Sequence, residues 1–112
     1  MRVAVGQSVS KRTLGEIVVR LVALASPVKI ILFGSNARGD AQAGSDLDLL
    51  VVQKEVIDHY EESLRLNRAL GDLMLPIDLL VVSEAELKRY GGVPGTVYYR
   101  SLQEGRVIYA QP

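Results

Sequence analysis

Residues 32–52 read LFGSNARGDAQAGSDLDLLVV, and the fold of the chain turns on this stretch. It begins inside an apolar run, Val28 to Phe33, which predicts a short strand covered on both faces. Gly34 to Ser45 is rich in Gly, Ser, Ala, Asn and Asp, the composition of a loop or of a loop with one helical turn. A second strand is predicted from about Asp46 to Val52.

Outward from this centre, the pattern alternates helices and strands. Upstream, Leu14, Ile17, Val18, Leu21, Val22 and Ala25 recur at helical spacing, with Thr13 and Glu16 as a capping box and Ser26-Pro27 as the stop. Residues 1–12 read as a lead-in and 13–110 as a single domain. Downstream, Asp58 and Glu61 mark a helix start, and Tyr60, Leu66, Leu70, Leu73 and Met74 supply its core-facing stripe. Pro76 opens a third strand, Ile77 to Val82, because proline is tolerated at a strand's first position. Ser83 with Glu86 caps a short helix, Gly91 to Gly95 is a turn-rich hinge, Thr96 to Glu104 is helical, and Gly105 ends it. Arg106 to Tyr109 is a last short strand. This order predicts an α+β (mixed α/β) domain, a small mixed sheet with helices packed on it. Strand order stays open.

Three aspartates sit at or near the start of otherwise apolar runs. Asp46 and Asp48 project from the same face of a strand, with Leu47 turned the other way. Carboxylates this close raise each other's proton affinity unless a cation holds them. If the third strand pairs beside the second, Asp78 joins them. An all-oxygen set suits magnesium, with manganese as a substitute. Gly34-Ser35 supplies the other half of a nucleotide site: glycine lets the backbone approach a ligand, and N–H groups and the Ser35 hydroxyl can donate to phosphate. Arg38 could neutralise a terminal phosphate.

Rival motifs fit less well. Gly34 to Gly39 has the glycine spacing of a P-loop, but Asp40-Ala41 stands where Lys-Ser/Thr is required. An EF-hand fails because Leu50 occupies the third ligand position. An isolated Asp-x-Asp is most simply a polar strand entrance; the upstream Gly-Ser and the downstream Asp78 favour a metal-site fold. His59 reads as solvated or capping. Tyr98, Tyr99 and Tyr109 read as core or interface aromatics, and Lys54, Glu55, Glu61 and Glu62 as a solvated face.

Composition narrows the partners. The 112 residues are 48% hydrophobic, which argues against disorder, and 13 basic residues balance 13 acidic ones. Nothing in this balance draws the chain to nucleic acid or an anionic membrane. Cysteine is absent, which excludes disulfides and thiolate metal sites. The apolar stretch Leu14 to Ala25 is too short to span a bilayer, and no signal peptide is read, so a cytoplasmic protein is expected.

Gly34-Ser35, ten intervening residues, Asp46-x-Asp48 and a distal Asp78 together resemble the signature of the DNA polymerase β-like nucleotidyltransferase superfamily. LFGSNARGDAQAGSDLDLLVV is especially similar to its minimal nucleotidyltransferase (MNT) branch, and PIDLLVV (76–82) and GTVYYRSLQEGRVIY (95–109) extend the likeness. The resemblance implies a polymerase β-like palm fold in which Asp46 and Asp48 coordinate two magnesium ions and Asp78 completes the acceptor-side metal site. It implies that Ser35, with Gly34, holds the tail of ATP or another nucleoside triphosphate. Asn36 departs from the arginine often found after Gly-Ser in this branch; Arg38 is retained.

MNT proteins typically pair with a helical HEPN protein, often as antitoxin and ribonuclease toxin. The expectation is therefore an adenylyltransferase that neutralises a HEPN-type toxin by AMPylation, in a homo- or hetero-oligomer. Two alternatives stand beside it: a non-catalytic module that inhibits its partner by covering it, and transfer to a small molecule such as an aminoglycoside.

Overall fold

The computed structural model describes residues 9–42 and 44–112. Helix α1 spans Lys11–Ala25, β1 Lys29–Phe33, α2 Ser35–Arg38, β2 Leu47–Gln53 and α3 His59–Ala69. A 3-10 turn at Gly71–Leu73 leads to β3 at Ile77–Ser83, α4 at Glu84–Tyr90, α5 at Val97–Glu104 and β4 at Arg106–Ala110. The four strands lie in the order β3-β2-β1-β4. β1 pairs antiparallel with β2 and with β4, whereas β2 and β3 are parallel. The sheet is thus mixed, and the α+β expectation holds.

Alternation along the strands builds two apolar layers. Ile30, Leu32, Leu49, Val51, Leu79 and Val81 pack on one face against Ile17 and Leu21 of α1 and Leu66 of α3, with Leu70 just beyond it. Ile31, Phe33, Leu50, Val52 and Val82 face the other way, toward Leu87 of α4 and Val97 and Tyr98 of α5. Ile30 to Phe33 are all buried, so β1 is covered on both faces as its composition predicts.

The helix caps explain most boundaries. Asp58 accepts from the Glu61 N–H, and Ser83 and Glu86 form a reciprocal capping box. Thr96 caps α5 through the Tyr99 N–H. The cap of α1 differs from the expectation. Ser10, not Thr13, is the N-cap: its hydroxyl accepts from the Thr13 N–H at 3.2 Å, and Glu16 pairs instead with Arg20. Ser10 has no Glu or Gln three residues on, so it lacks the reciprocal half of the box. The lead-in expected over 1–12 otherwise lies mostly outside the described residues.

The stripe on α3 also needs correcting. Leu66 and Leu70 are buried, but Tyr60 and Met74 are exposed, at 71% and 86%. Tyr60 sits six residues before Leu66, off its face of the helix. Met74 lies beyond the helix in a left-handed turn residue (φ 56°). Nor is Glu62 solvated: it is half-buried, taking a hydrogen bond from Gln53 at 2.7 Å and two from Arg65.

Candidate active site

The sheet topology gathers one strand end and two strand beginnings. β1 finishes at Phe33 directly opposite Asp48, and Asp48 lies in register with Asp78 across the parallel ladder. Residues in register share a face, and alternation places both with Leu50, Val52 and Val82 on the side of α4 and α5. The expected neighbourhood of these two acids therefore forms. Asp48 is half-buried, while Asp78 and Asp46 are exposed, Asp46 standing one residue before β2 begins.

Gly34 completes the corner. Its backbone has φ 75°, where side chains are disfavoured, and a Cβ there would lie 2.1 Å from Asp48 Oδ2. Only glycine lets the turn rest against that carboxylate. Ser35 follows as the first residue of α2, and the Gly34 carbonyl closes this single turn by accepting from the N–H groups of Ala37 and Arg38. The Gly34 N–H itself donates to Glu104 Oε2 at 2.7 Å, so in this structure it serves a carboxylate of α5.

Two polar side chains tie the turn to its surroundings. Asn36 is buried; its amide nitrogen donates to the Asp46 carbonyl at 3.0 Å, and its oxygen accepts from the Val9 N–H at 3.2 Å. The residue that departs from the MNT pattern thus fastens the backbone of Asp46 to the turn. Arg38 is held by Glu104 at 2.8 Å and Asp40 at 3.4 Å. Arg100 of α5 lies over the Phe33 ring, 5.1 Å from its centroid, with Asp48 Oδ2 4.0 Å away and Glu104 Oε2 3.8 Å away.

These charges act on Asp48. Burial raises its pKa above the ordinary 3.8, and Asp78, Asp46 and Glu104 push the same way while Arg100 opposes them. The site is short of positive charge. Its three aspartates offer only oxygen donors, which suits magnesium or manganese. Among the described residues, no three acidic or histidine side chains close into a cage of their own. Magnesium usually takes one or two carboxylates and completes its shell with water and substrate phosphates, so an open carboxylate edge fits it.

A family model described as Polymerase beta, Nucleotidyltransferase matches residues 16–112. The chain belongs to this nucleotidyltransferase family. It is 35% identical over 81 residues to a Methanocaldococcus jannaschii protein named "Putative protein adenylyltransferase", covering 72% of this chain and 77% of that one. Solved structures share the fold. The crystal structure of "a putative nucleotidyltransferase from Sulfolobus solfataricus" superposes with a TM-score of 0.65 at 21% identity, covering 89% of this chain and 79% of that one. A chain from the complex of tri-AMPylated Shewanella oneidensis HEPN toxin with MNT antitoxin gives a TM-score of 0.59 at 15% identity, covering 90% and 72%.

Within this nucleotidyltransferase, Asp48, Asp78 and Gly34-Ser35 meet at one corner, with Asp46 near enough for its charge to reach Asp48. His59 lies elsewhere: Asp58, not His59, caps α3, and the His59 ring reaches across to α4, its Nε2 2.8 Å from Glu86 Oε1. Arg100 and Glu104 escape a reading of the sequence. Their one local signal is spacing: four residues apart, they share a face of α5. What that face meets depends on β4 pairing with β1, which no local pattern reveals.

Proposed function

We propose that this nucleotidyltransferase moves AMP from ATP onto a hydroxyl of a partner protein in the cytoplasm, and that the partner is a toxin of the HEPN kind. The observation that carries the transferase chemistry is the pairing of Asp48 with Asp78 beside a glycine whose missing side chain makes room for Asp48. The named activity of the Methanocaldococcus relative supports a protein acceptor, and the HEPN–MNT complex among the structural neighbours supports the partner. The chain of another neighbour comes from a toxin–antitoxin structure with AMP-PNP, in keeping with an adenine nucleotide.

In the proposed mechanism, Asp46 and Asp48 would hold magnesium, with Asp78 completing the set of carboxylates. A magnesium ion held there would supply Lewis acidity and offset negative charge on the phosphates. The Ser35 hydroxyl donates to the triphosphate, and Arg38, with donors to spare beyond its two carboxylates, offsets its charge. The acceptor oxygen forms a bond to the α-phosphorus as the bond to pyrophosphate breaks. Pyrophosphate leaves with the electron pair, and Asp78 accepts the hydroxyl proton. Positioning and electrostatics account for the acceleration.

Co-expression with a HEPN-type partner tests this directly. The partner's mass should rise by whole AMP units, and the gain should vanish with Asp46→Asn. Inhibition of the partner with no change in mass would instead identify a module that acts by contact alone.

A further inference from the structure

Glu104 is placed oddly for an acidic residue. It is the last residue of α5, where the partial negative charge of the helix end disfavours a carboxylate, and the last turn carries no basic residue. It also adds to the negative potential that already raises the pKa of Asp48. Despite both penalties its side chain is only 19% exposed.

Its contacts account for the position. One oxygen, Oε2, accepts from the Gly34 N–H at 2.7 Å and from Arg38 Nη1 at 2.8 Å, so it grips the Gly-Ser turn at its first residue and at its last arginine. Charge-assisted bonds of this kind are among the stronger ones. The next residue makes the approach feasible. A Cβ on Gly105 would lie 2.1 Å from the Ser101 carbonyl oxygen and 2.5 Å from Ile31 Cγ2, so glycine lets the end of α5 press against β1 beneath the turn. β4 then runs antiparallel to β1, with Arg106 opposite Leu32, which fixes the height of Glu104 relative to Gly34.

We infer that Glu104 is a positioning residue for the nucleotide: its carboxylate anchors the Gly34–Ser35 turn to the end of α5 and so fixes where Ser35 stands relative to Asp48. The inference rests on the transferase reading above and adds to it a residue that touches neither substrate nor metal. Losing the anchor loosens the turn, so the effect falls on binding of the triphosphate. With the acceptor to Gly34 removed, KM for ATP should rise about tenfold or more, with a smaller change in kcat.

Reach and charge can be separated by two variants. Glu104→Gln keeps the length and an acceptor for the Gly34 N–H; Glu104→Asp keeps the charge but withdraws it by one methylene. KM for ATP should stay within about threefold of wild type in Glu104→Gln and rise about tenfold in Glu104→Asp. NMR hydrogen exchange of the Gly34 amide gives a readout independent of activity: protection should persist in Glu104→Gln and drop in Glu104→Asp. The reverse order, equal KM values in all three proteins, or a lower KM in either variant would overturn the inference, the last because it would show a carboxylate competing with phosphate. The expected exchange pattern in a protein that transfers no AMP would refute the transferase reading and leave the anchor standing.

Discussion

At the far end of β2, Glu62 receives a hydrogen bond from Gln53 and two from Arg65, and its pKa lies below the ordinary 4.5, chiefly through Arg65. At the near end of the same strand, Asp48 stands in register with Asp78, and its pKa lies above the ordinary value through burial and that neighbour. Both acids are partly buried and separated by little more than one strand length. One is matched by a guanidinium at 2.7 Å; the other has its guanidinium only at 4.0 Å. The first arrangement supports the fold. The second leaves repulsion in place, and a cation or phosphate-bound metal would relieve it.

This contrast can be broken first at Asp48. Asp48→Asn should lower transfer of label from α-labelled ATP on the order of a thousandfold while leaving the thermal midpoint unchanged or raised. A variant that is active, or that unfolds at a markedly lower temperature, would erase the distinction between the two ends.

Gly34→Ala comes next, because it combines both kinds of damage. The added methyl would collide with Asp48 Oδ2 and sit at φ 75°, so stability should drop by about 2 kcal/mol in urea unfolding, with most activity lost. Repeating the change in an Asp48→Gly background should recover part of the stability. Equal losses in both backgrounds would show that the carboxylate is not what the glycine accommodates.

Arg65→Ala probes the other end. Removing the partner of Glu62 should lower stability by about 1 kcal/mol and leave label transfer near wild type. Loss of transfer in a folded Arg65→Ala protein would mean that the two ends are coupled.

The smallest effects lie in pH dependence, where the two acids have opposite signs. Glu62 has a depressed folded pKa, so its stabilisation is full above the ordinary Glu value and is lost as pH falls through the depressed one. Asp48 has a raised folded pKa, so the native state holds its proton more tightly, and stability falls as pH rises from 3.8 through the raised value. In metal-free urea titrations, Glu62→Gln should flatten the acid limb and Asp48→Asn should remove the decline above it.

Much of this was legible because the strands are short apolar runs punctuated by Gly, Pro or Asp. Ile77 to Val82, introduced by Pro76, falls within β3, and Gly105 ends α5 as expected, while Thr96 is its N-cap rather than its first helical residue. The candidate aspartates are recognisable from spacing, yet their meeting depends on β3 lying beside β2, a relation between distant segments. Ser10 was obscured because Thr13-Glu16 imitates a cap. Glu62 resembles its solvated neighbours until α3 folds it against Gln53. Glu104 and Arg100 were hidden for the same reason: their partners, Gly34, Arg38 and Asp48, lie more than fifty residues away.

The parallel ladder between β2 and β3 makes the partnership of Asp48 and Asp78 stepwise rather than graded. A slide of one residue would turn the acid at 78 toward α1 and α3, and a slide of two would restore its face but leave it a rung away. Between them, α3 is bound in a different way: a residue added inside it would turn Leu66 and Leu70 off the core, whereas the turns on either side of the helix face no such restriction. Descendants of this sequence can therefore change length in those turns, provided α3 keeps its face to the core and the two strands dock again on the same rung.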